Sequence, residues 1–360
     1  KSLKIDTFTF VRFFNYKNFK IKFTLMKIIG CIGFFLMFFP TVNAQGESNN
    51  LSRPSYLSLG DTIVILAPSG ILIEREASIQ KAKELVEGWG LKVLMGTNTF
   101  NQNNHFSGTD VERAADFQKA IDNPNVKAIW AARGGYGAVR VLDLLDFTKF
   151  KESPKWIIGY SDITAFHNHI HNLGVETIHG MMATSLEGDW KDATETISSL
   201  KKALFGKTLR YTIPSSLYNR NNFLNVEKTI EGQLIGGNLA ILASMLGSNS
   251  QVSTKGKILF IEEVGEYKYA IDRMLQSLKR AGYFKKVNAV IVGNISKLRE
   301  NSTAWGSSIE ELILAVVPAE IPILFDFPAG HEVDNRALIF GRTMLLQFGL
   351  DNCSLVFKEI

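Results

Sequence analysis

From Asp61 onward, short runs of consecutive apolar residues alternate with longer stretches of helical spacing. DTIVILAPSG reads as a strand ending in a Pro-Ser-Gly loop, and residues 74–90 carry a helical pattern that stops near Gly88 and Gly90. LKVLMG is a strand, and residues 108–122 are a helix opened by Ser107 or Thr109 as cap. VKAIWAA is a strand, followed by the turn RGGYG and the helical stretch AVRVLDLLDF. KWIIGY, SDITAFHNHIHNLG and ETIHG continue as strand, helix and short strand. Wholly apolar strands alternating with helices predict an α/β domain over residues 55–190, its parallel sheet covered on both faces.

The pattern changes between residues 191 and 230, a polar stretch with SSLYNRNNF near its centre that reads as a linker. EGQLIGGNLAILASMLG then reads as a Gly-rich turn opening a helix, and KGKILFIEEV as a strand. Residues 268–282 are helical, VNAVIVGNI is a strand, residues 308–317 are helical, and IPILFDFPAGH is a strand and loop. ALIFG and TMLLQFG are closing strands with partial alternation. Residues 231–360 therefore form a smaller unit that mixes helices with partly antiparallel strands.

With 360 residues, 46% of them hydrophobic, the chain is long enough for two domains or one large one, each with a real core. Its formal charge of +5 suggests a basic protein, but the charge is unevenly placed. Residues 1–44 hold seven Lys and Arg against one acid, which leaves 33 basic and 34 acidic residues for the remainder. A near-neutral body gives no electrostatic case for nucleic acid. The basic end looks like a targeting segment. Met26-Lys27 precedes the apolar run IIGCIGFFLMFF, residues 28–39, and TVNA then offers small residues for cleavage near Ala44. The run is short for a membrane span. The expectation is an exported, periplasmic protein with no membrane span after cleavage, residues 1–25 being an over-extended reading frame. Cys31 leaves with that segment and Cys353 stays alone, so the mature chain holds neither a disulfide nor a cysteine metal cluster.

In open parallel sheets, ligands sit beyond the C-terminal ends of the strands. Two turns arrive there: RGGYG, residues 133–137, and GYSD, residues 159–162. Ser161, between a buried strand and a helix, can project its Oγ from a strained turn, with the Asp162 N–H facing the same space. Gly135 permits the close backbone approach that a second oxyanion donor needs. Taken alone, this stretch favours Ser161 or Asp162 as an ordinary helix cap. Of six histidines, His167 and His171 share a helix face but lack a carboxylate or Cys partner for a metal. His105 sits in an Asn-rich loop, and His179 ends a strand where it can line a cleft. His331, in the loop PAGHEVDN after an apolar strand, is the most suggestive base. Glu262 and Glu263 end the strand ILFIEEV, and only one of two adjacent strand residues can face a given cleft. GGYGAVR lacks the GxGxxG spacing of a dinucleotide site.

Six segments in order resemble the LD-carboxypeptidase family of serine peptidases. They are GDTIVILAPSG, ARGGYGAVRVLDLLDF, IIGYSDIT, GQLIGGNLAIL, ILFIEEVGEYKYAIDRML and PAGHEVDNRALIFG, spanning about residues 58–345. The resemblance implies a flavodoxin-like N-terminal domain and a smaller β-rich α+β C-terminal domain. It implies a Ser161, Glu262, His331 triad, with Glu263 as the alternative acid, and oxyanion donors at the Gly135 and Asp162 backbone. Arg133, Tyr136 and His179 become the candidates for contacting substrate. The implied substrate is a muropeptide tetrapeptide, without metal or cofactor, and the implied assembly is a homodimer. The alternatives are a microcin-like peptidyl or aminoacyl nucleotide as substrate, or a muropeptide-binding protein without turnover. Met181 and Ile339 stand where the family often has Pro, which bears on loop shape.

Overall fold

The computed structural model describes residues 51–186, 193–214, 228–349 and 352–359. The targeting segment lies outside the described residues. Among the described residues no helix is long and apolar enough to cross a membrane.

The first half follows the expected alternation: β1 (Thr62–Leu66), α1 (Glu76–Glu87), β2 (Lys92–Met95), α2 (Asp110–Asp122), β3 (Val126–Ala131), α3 (Ala138–Leu142), α4 (Thr148–Glu152), β4 (Trp156–Gly159), α5 (Thr164–Asn172) and β5 (Thr177–His179). Thr109, not Ser107, caps α2, and it does so in a full capping box with Glu112. These strands are parallel in the order β2-β1-β3-β4-β5, the flavodoxin-like arrangement. The side chains of β1, β3, β4 and β5 are almost entirely buried, as a sheet covered on both faces requires, whereas the edge strand β2 leaves Lys92, Leu94 and Met95 exposed.

The second half differs from the expectation in three places. The stretch expected to be a linker carries a helix, α6 (Thr194–Leu204), and a strand, β6 (Arg210–Pro214). Polar composition concealed them, because the buried face of α6 includes Thr196 and Ser199, whose hydroxyls serve the neighbouring loop described below. The supposed Gly-rich turn is instead the end of a long strand, β7 (Lys228–Asn238), which leads into α7 (Leu239–Ser244). A Cβ on Gly236 would lie 1.9 Å from the Phe260 carbonyl oxygen, and one on Gly237 2.4 Å from Thr164 Oγ1. The glycines therefore serve close packing and not a turn. There follow β8 (Ile258–Val264), α8 (Lys268–Arg280), β9 (Ala289–Ser296), α9 (Ile309–Leu314), β10 (Ile323–Leu324), β11 (Leu338–Phe340), β12 (Thr343–Phe348) and β13 (Asn352–Phe357).

Strands β10-β9-β8-β7 are parallel, and β7-β12-β13-β6 continue the same sheet antiparallel. The third difference is β11, which leaves this sheet and pairs antiparallel with β5 of the first, Leu338 opposite His179. One apolar cluster accordingly joins Trp130, Trp156 and Ile178 to Leu234, Phe260 and Ile291. The loop between β10 and β11 is thus strung from one sheet to the other, and it carries His331.

Candidate active site

Ser161 has φ 60°, a left-handed conformation that costs a non-glycine residue energy. The turn is braced from behind. His167 Nε2 donates to the Gly159 carbonyl at 2.8 Å, which leaves Nδ1 to accept from Thr177 Oγ1 at 2.9 Å. Neither Ser161 nor Asp162 caps α5 with its side chain. The Asp162 carboxylate instead accepts from the Ala138 N–H at 2.7 Å, at the start of α3. It thereby ties the serine turn to the RGGYG turn. Burial pushes the Asp162 carboxyl above the usual range, against the downward pull of its hydrogen bonds.

The glycine turn is held as closely. Arg113, buried, donates to the Pro68 and Gly137 carbonyls and so clamps the loop after β1 to the loop after β3. The Gly70 N–H donates to the Gly134 carbonyl at 3.0 Å. Carbonyl and N–H of one trans peptide point in opposite directions, so this bond turns the Gly135 N–H away from Gly70. A Cβ on Gly134 would lie 3.1 Å from Ser161 Cβ and 3.3 Å from Ser161 Oγ.

Across from Ser161, His331 Nδ1 donates to Glu262 Oε2 at 2.7 Å, with Glu262 fully buried. The Tyr160 ring meets the His331 ring edge-on, centroids 4.9 Å apart. Glu263 faces the other way: Asn238 Nδ2, the Val264 N–H and the Ala240 N–H donate to it. Burial raises its carboxyl to about 7. The period-two geometry of β8 thus sends Glu262 to the histidine and Glu263 to the start of α7. The His331 loop rests on α6. Thr196 Oγ1 donates to the Val333 carbonyl and accepts from the Asn335 N–H, and Ser199 Oγ accepts from the Ala337 N–H.

Ser161, His331 and Gly135 line one cleft of about 610 Å³. Arg133 lines it too, but its guanidinium also donates to the Ile71 carbonyl. The other two expected substrate contacts are not there. Tyr136 points to solvent, packs on Phe106 and is not among the residues lining the cleft. His179 is fully buried behind Tyr160, between Phe260 and Phe340, because β11 closes over the end of β5.

Two domain models match the chain, the LD-carboxypeptidase N-terminal domain over residues 63–180 and the LD-carboxypeptidase C-terminal domain over residues 231–346. The chain belongs to the LD-carboxypeptidase family. It is 34% identical to the probable murein peptide carboxypeptidase of Bacillus subtilis, over 80% of this chain and 89% of that one. The solved muramoyltetrapeptide carboxypeptidase of Oxalobacter formigenes superimposes with a TM-score of 0.71 at 26% identity, covering 83% of this chain and 99% of that one. The microcin C7 self-immunity protein MccF, in complex with glutamyl sulfamoyl guanosine, superimposes with a TM-score of 0.74 at 26% identity, covering 86% and 99%. This LD-carboxypeptidase family member is an enzyme, a hydrolase with the two-sheet fold of those relatives.

The family member buries three neutral histidines, with a consequence for stability. Burial lowers His167 to about 4, His171 to about 3 and His179 well below its usual value of 6.5. The unfolded chain takes up protons near 6.5 while the folded chain does not. This contribution to stability is complete above that pH and is lost as pH falls toward 4. Neither His179 ring nitrogen has a hydrogen-bond partner among the described residues. Urea unfolding at about pH 7 and about pH 4.5 is therefore expected to show a smaller loss for His179→Leu than for wild type, by up to about 1.4 kcal/mol per pH unit. Equal losses in the two proteins would contradict a buried neutral imidazole.

Proposed function

We propose that this enzyme is a serine-type L,D-carboxypeptidase that removes the terminal D-Ala from peptidoglycan tetrapeptides. The observation that carries this reading is the Glu262–His331 hydrogen bond on the cleft that also holds Ser161 on its left-handed turn. Ser161 Oγ attacks the scissile carbonyl while His331 Nε2 accepts its proton. Glu262 holds the Nδ1–H tautomer and stabilises the imidazolium that forms. The Gly135 and Asp162 N–H groups receive the oxyanion, each worth about 3 kcal/mol of barrier by analogy with a comparable serine protease. His331 then gives its proton to the leaving amine, and water releases the acyl-enzyme by the same relay.

The names of the Bacillus and Oxalobacter relatives support murein peptides as substrate. The reading includes export, which the Met26–Ala44 segment supports and which places the enzyme beside the cell wall. It also includes a homodimer.

A methyl on Gly134 would push against Ser161, which its turn holds fixed. Gly134→Ala is expected to lower kcat by about ten- to a hundredfold with far-UV circular dichroism unchanged. A wild-type kcat would detach Ser161 from the reaction.

A fluorophosphonate probe followed by peptide mass spectrometry tests the nucleophile. Label is expected on Ser161 and absent from Glu262→Gln protein at matched times. An unlabelled Ser161 would favour a binding protein without turnover. Faster cleavage of an aminoacyl sulfamoyl adenylate than of tetrapeptide would transfer the substrate reading to the microcin class.

A further inference from the structure

A carboxypeptidase must recognise the free carboxylate of the residue it releases, and the cleft's charges bear on how. Arg75, Arg133 and Lys297 line it against Glu332. Arg133 lies on the glycine turn, the side of the oxyanion. The leaving amine, however, takes its proton from His331, so the leaving residue and its α-carboxylate lie on the His331 side of the scissile bond.

Two unusual groups line the cleft on that side. Asn335 belongs to the same loop as His331 and is 3% exposed. Its Oδ1 accepts from the Gly330 N–H at 3.0 Å, which fixes the amide and turns Nδ2 the other way. Nδ2 is buried with no hydrogen-bond partner among the described residues. A buried donor without an acceptor is costly, and on the wall of a cleft a ligand can supply that acceptor. Lys297 directly follows β9 and has φ 51°, a left-handed conformation that a lysine adopts only under constraint. Its side chain is exposed, and its ammonium has no hydrogen bond or ion pair among the described residues. The two elements adjoin, since the Asn294 N–H donates to the Ala329 carbonyl at 2.8 Å, just before Gly330.

We infer that Asn335 Nδ2 and the Lys297 ammonium together hold the C-terminal carboxylate of the residue that leaves. The inference rests on Ser161 and His331 acting as nucleophile and base. Asn335 supplies a fixed donor and Lys297 the opposite charge, a pairing suited to one carboxylate and not to an uncharged terminus.

The test is calorimetric binding to the full-length Ser161→Ala protein, which separates recognition from turnover. The probes are a peptidoglycan tetrapeptide and its C-terminal carboxamide. The carboxylate form is expected to bind at least about tenfold more tightly, the value of one charge-assisted hydrogen bond. Adding Asn335→Asp, which keeps the acceptor for Gly330, or Lys297→Met is expected to weaken only the carboxylate form and bring the ratio within about twofold. Lys297→Met is exposed and does not disturb the core, so it reads independently of any folding defect in Asn335→Asp. Equal weakening of both peptides, or an unchanged ratio, would overturn the inference while leaving the substrate class intact. Binding of neither peptide to Ser161→Ala would overturn the substrate class itself.

Discussion

Ser161→Ala is expected to lower kcat on the tetrapeptide by about 10⁶-fold, the loss seen when a comparable serine protease is deprived of its nucleophile. Stability is expected to be unchanged, because alanine keeps the Cβ that makes φ 60° costly. Ser161→Gly is the informative partner. It removes nucleophile and strain together, so it is expected to be as inactive as Ser161→Ala and more stable than it, by up to about 1 kcal/mol after the entropy of a freer unfolded glycine is set against the gain. A pair of variants equally dead but differing in melting temperature in this direction would show that the turn holds Ser161 at an energetic cost for the sake of its Oγ. Equal melting temperatures would remove strain from the account.

Glu262→Gln carries the second large effect, a fall in kcat of about 10⁴-fold with substrate binding preserved, as for the corresponding change in a Ser-His-Asp enzyme. The reason lies in the proton count. The carboxylate accepts from His331 Nδ1 and so leaves Nε2 bare to take the serine proton. A glutamine amide facing Nδ1 would reverse the tautomer, and a glutamine carbonyl facing it would lack the charge that stabilises the imidazolium. Glu263→Gln is the control. Glu263 holds Asn238 and the start of α7, away from His331, so its replacement is expected to change stability and to leave kcat within about threefold of wild type at a temperature where both are folded. A larger loss of kcat at position 263 than at 262 would exchange their roles.

Much of this was legible in the chain because the chemistry sits in short segments with local signatures. The apolar strand before Ser161 and the Gly-rich turn before α3 announce themselves by composition, as does the Gly-His loop after IPILF. The parity of a strand also predicts that Glu262 and Glu263 face opposite sides, although it does not say which faces the cleft. That choice depends on where β8 lies beside β7 and β9, which is a tertiary fact.

The residues that support the site were concealed for the same reason. Thr196 and Ser199 make α6 look like polar connection, and only the loop they bind explains their burial. His167 belongs to a histidine-rich helix that can suggest a metal or a solvated face, yet it braces the Gly159 carbonyl one residue before Tyr160. Arg113 carries no local signature of its role, which depends on the Pro68 and Gly137 carbonyls that the fold brings around it. His179 lies away from the cleft because β11 crosses from the second sheet to cover it, and no local pattern in ALIFG encodes that partner.

The measurement that bears most directly on the central claim is chromatographic analysis of a purified disaccharide tetrapeptide incubated with the enzyme, without added metal. The account predicts stoichiometric disaccharide tripeptide and free D-Ala, and neither product with Ser161→Ala. Intact tetrapeptide after prolonged incubation, or equal product from the wild type and Ser161→Ala, would contradict it.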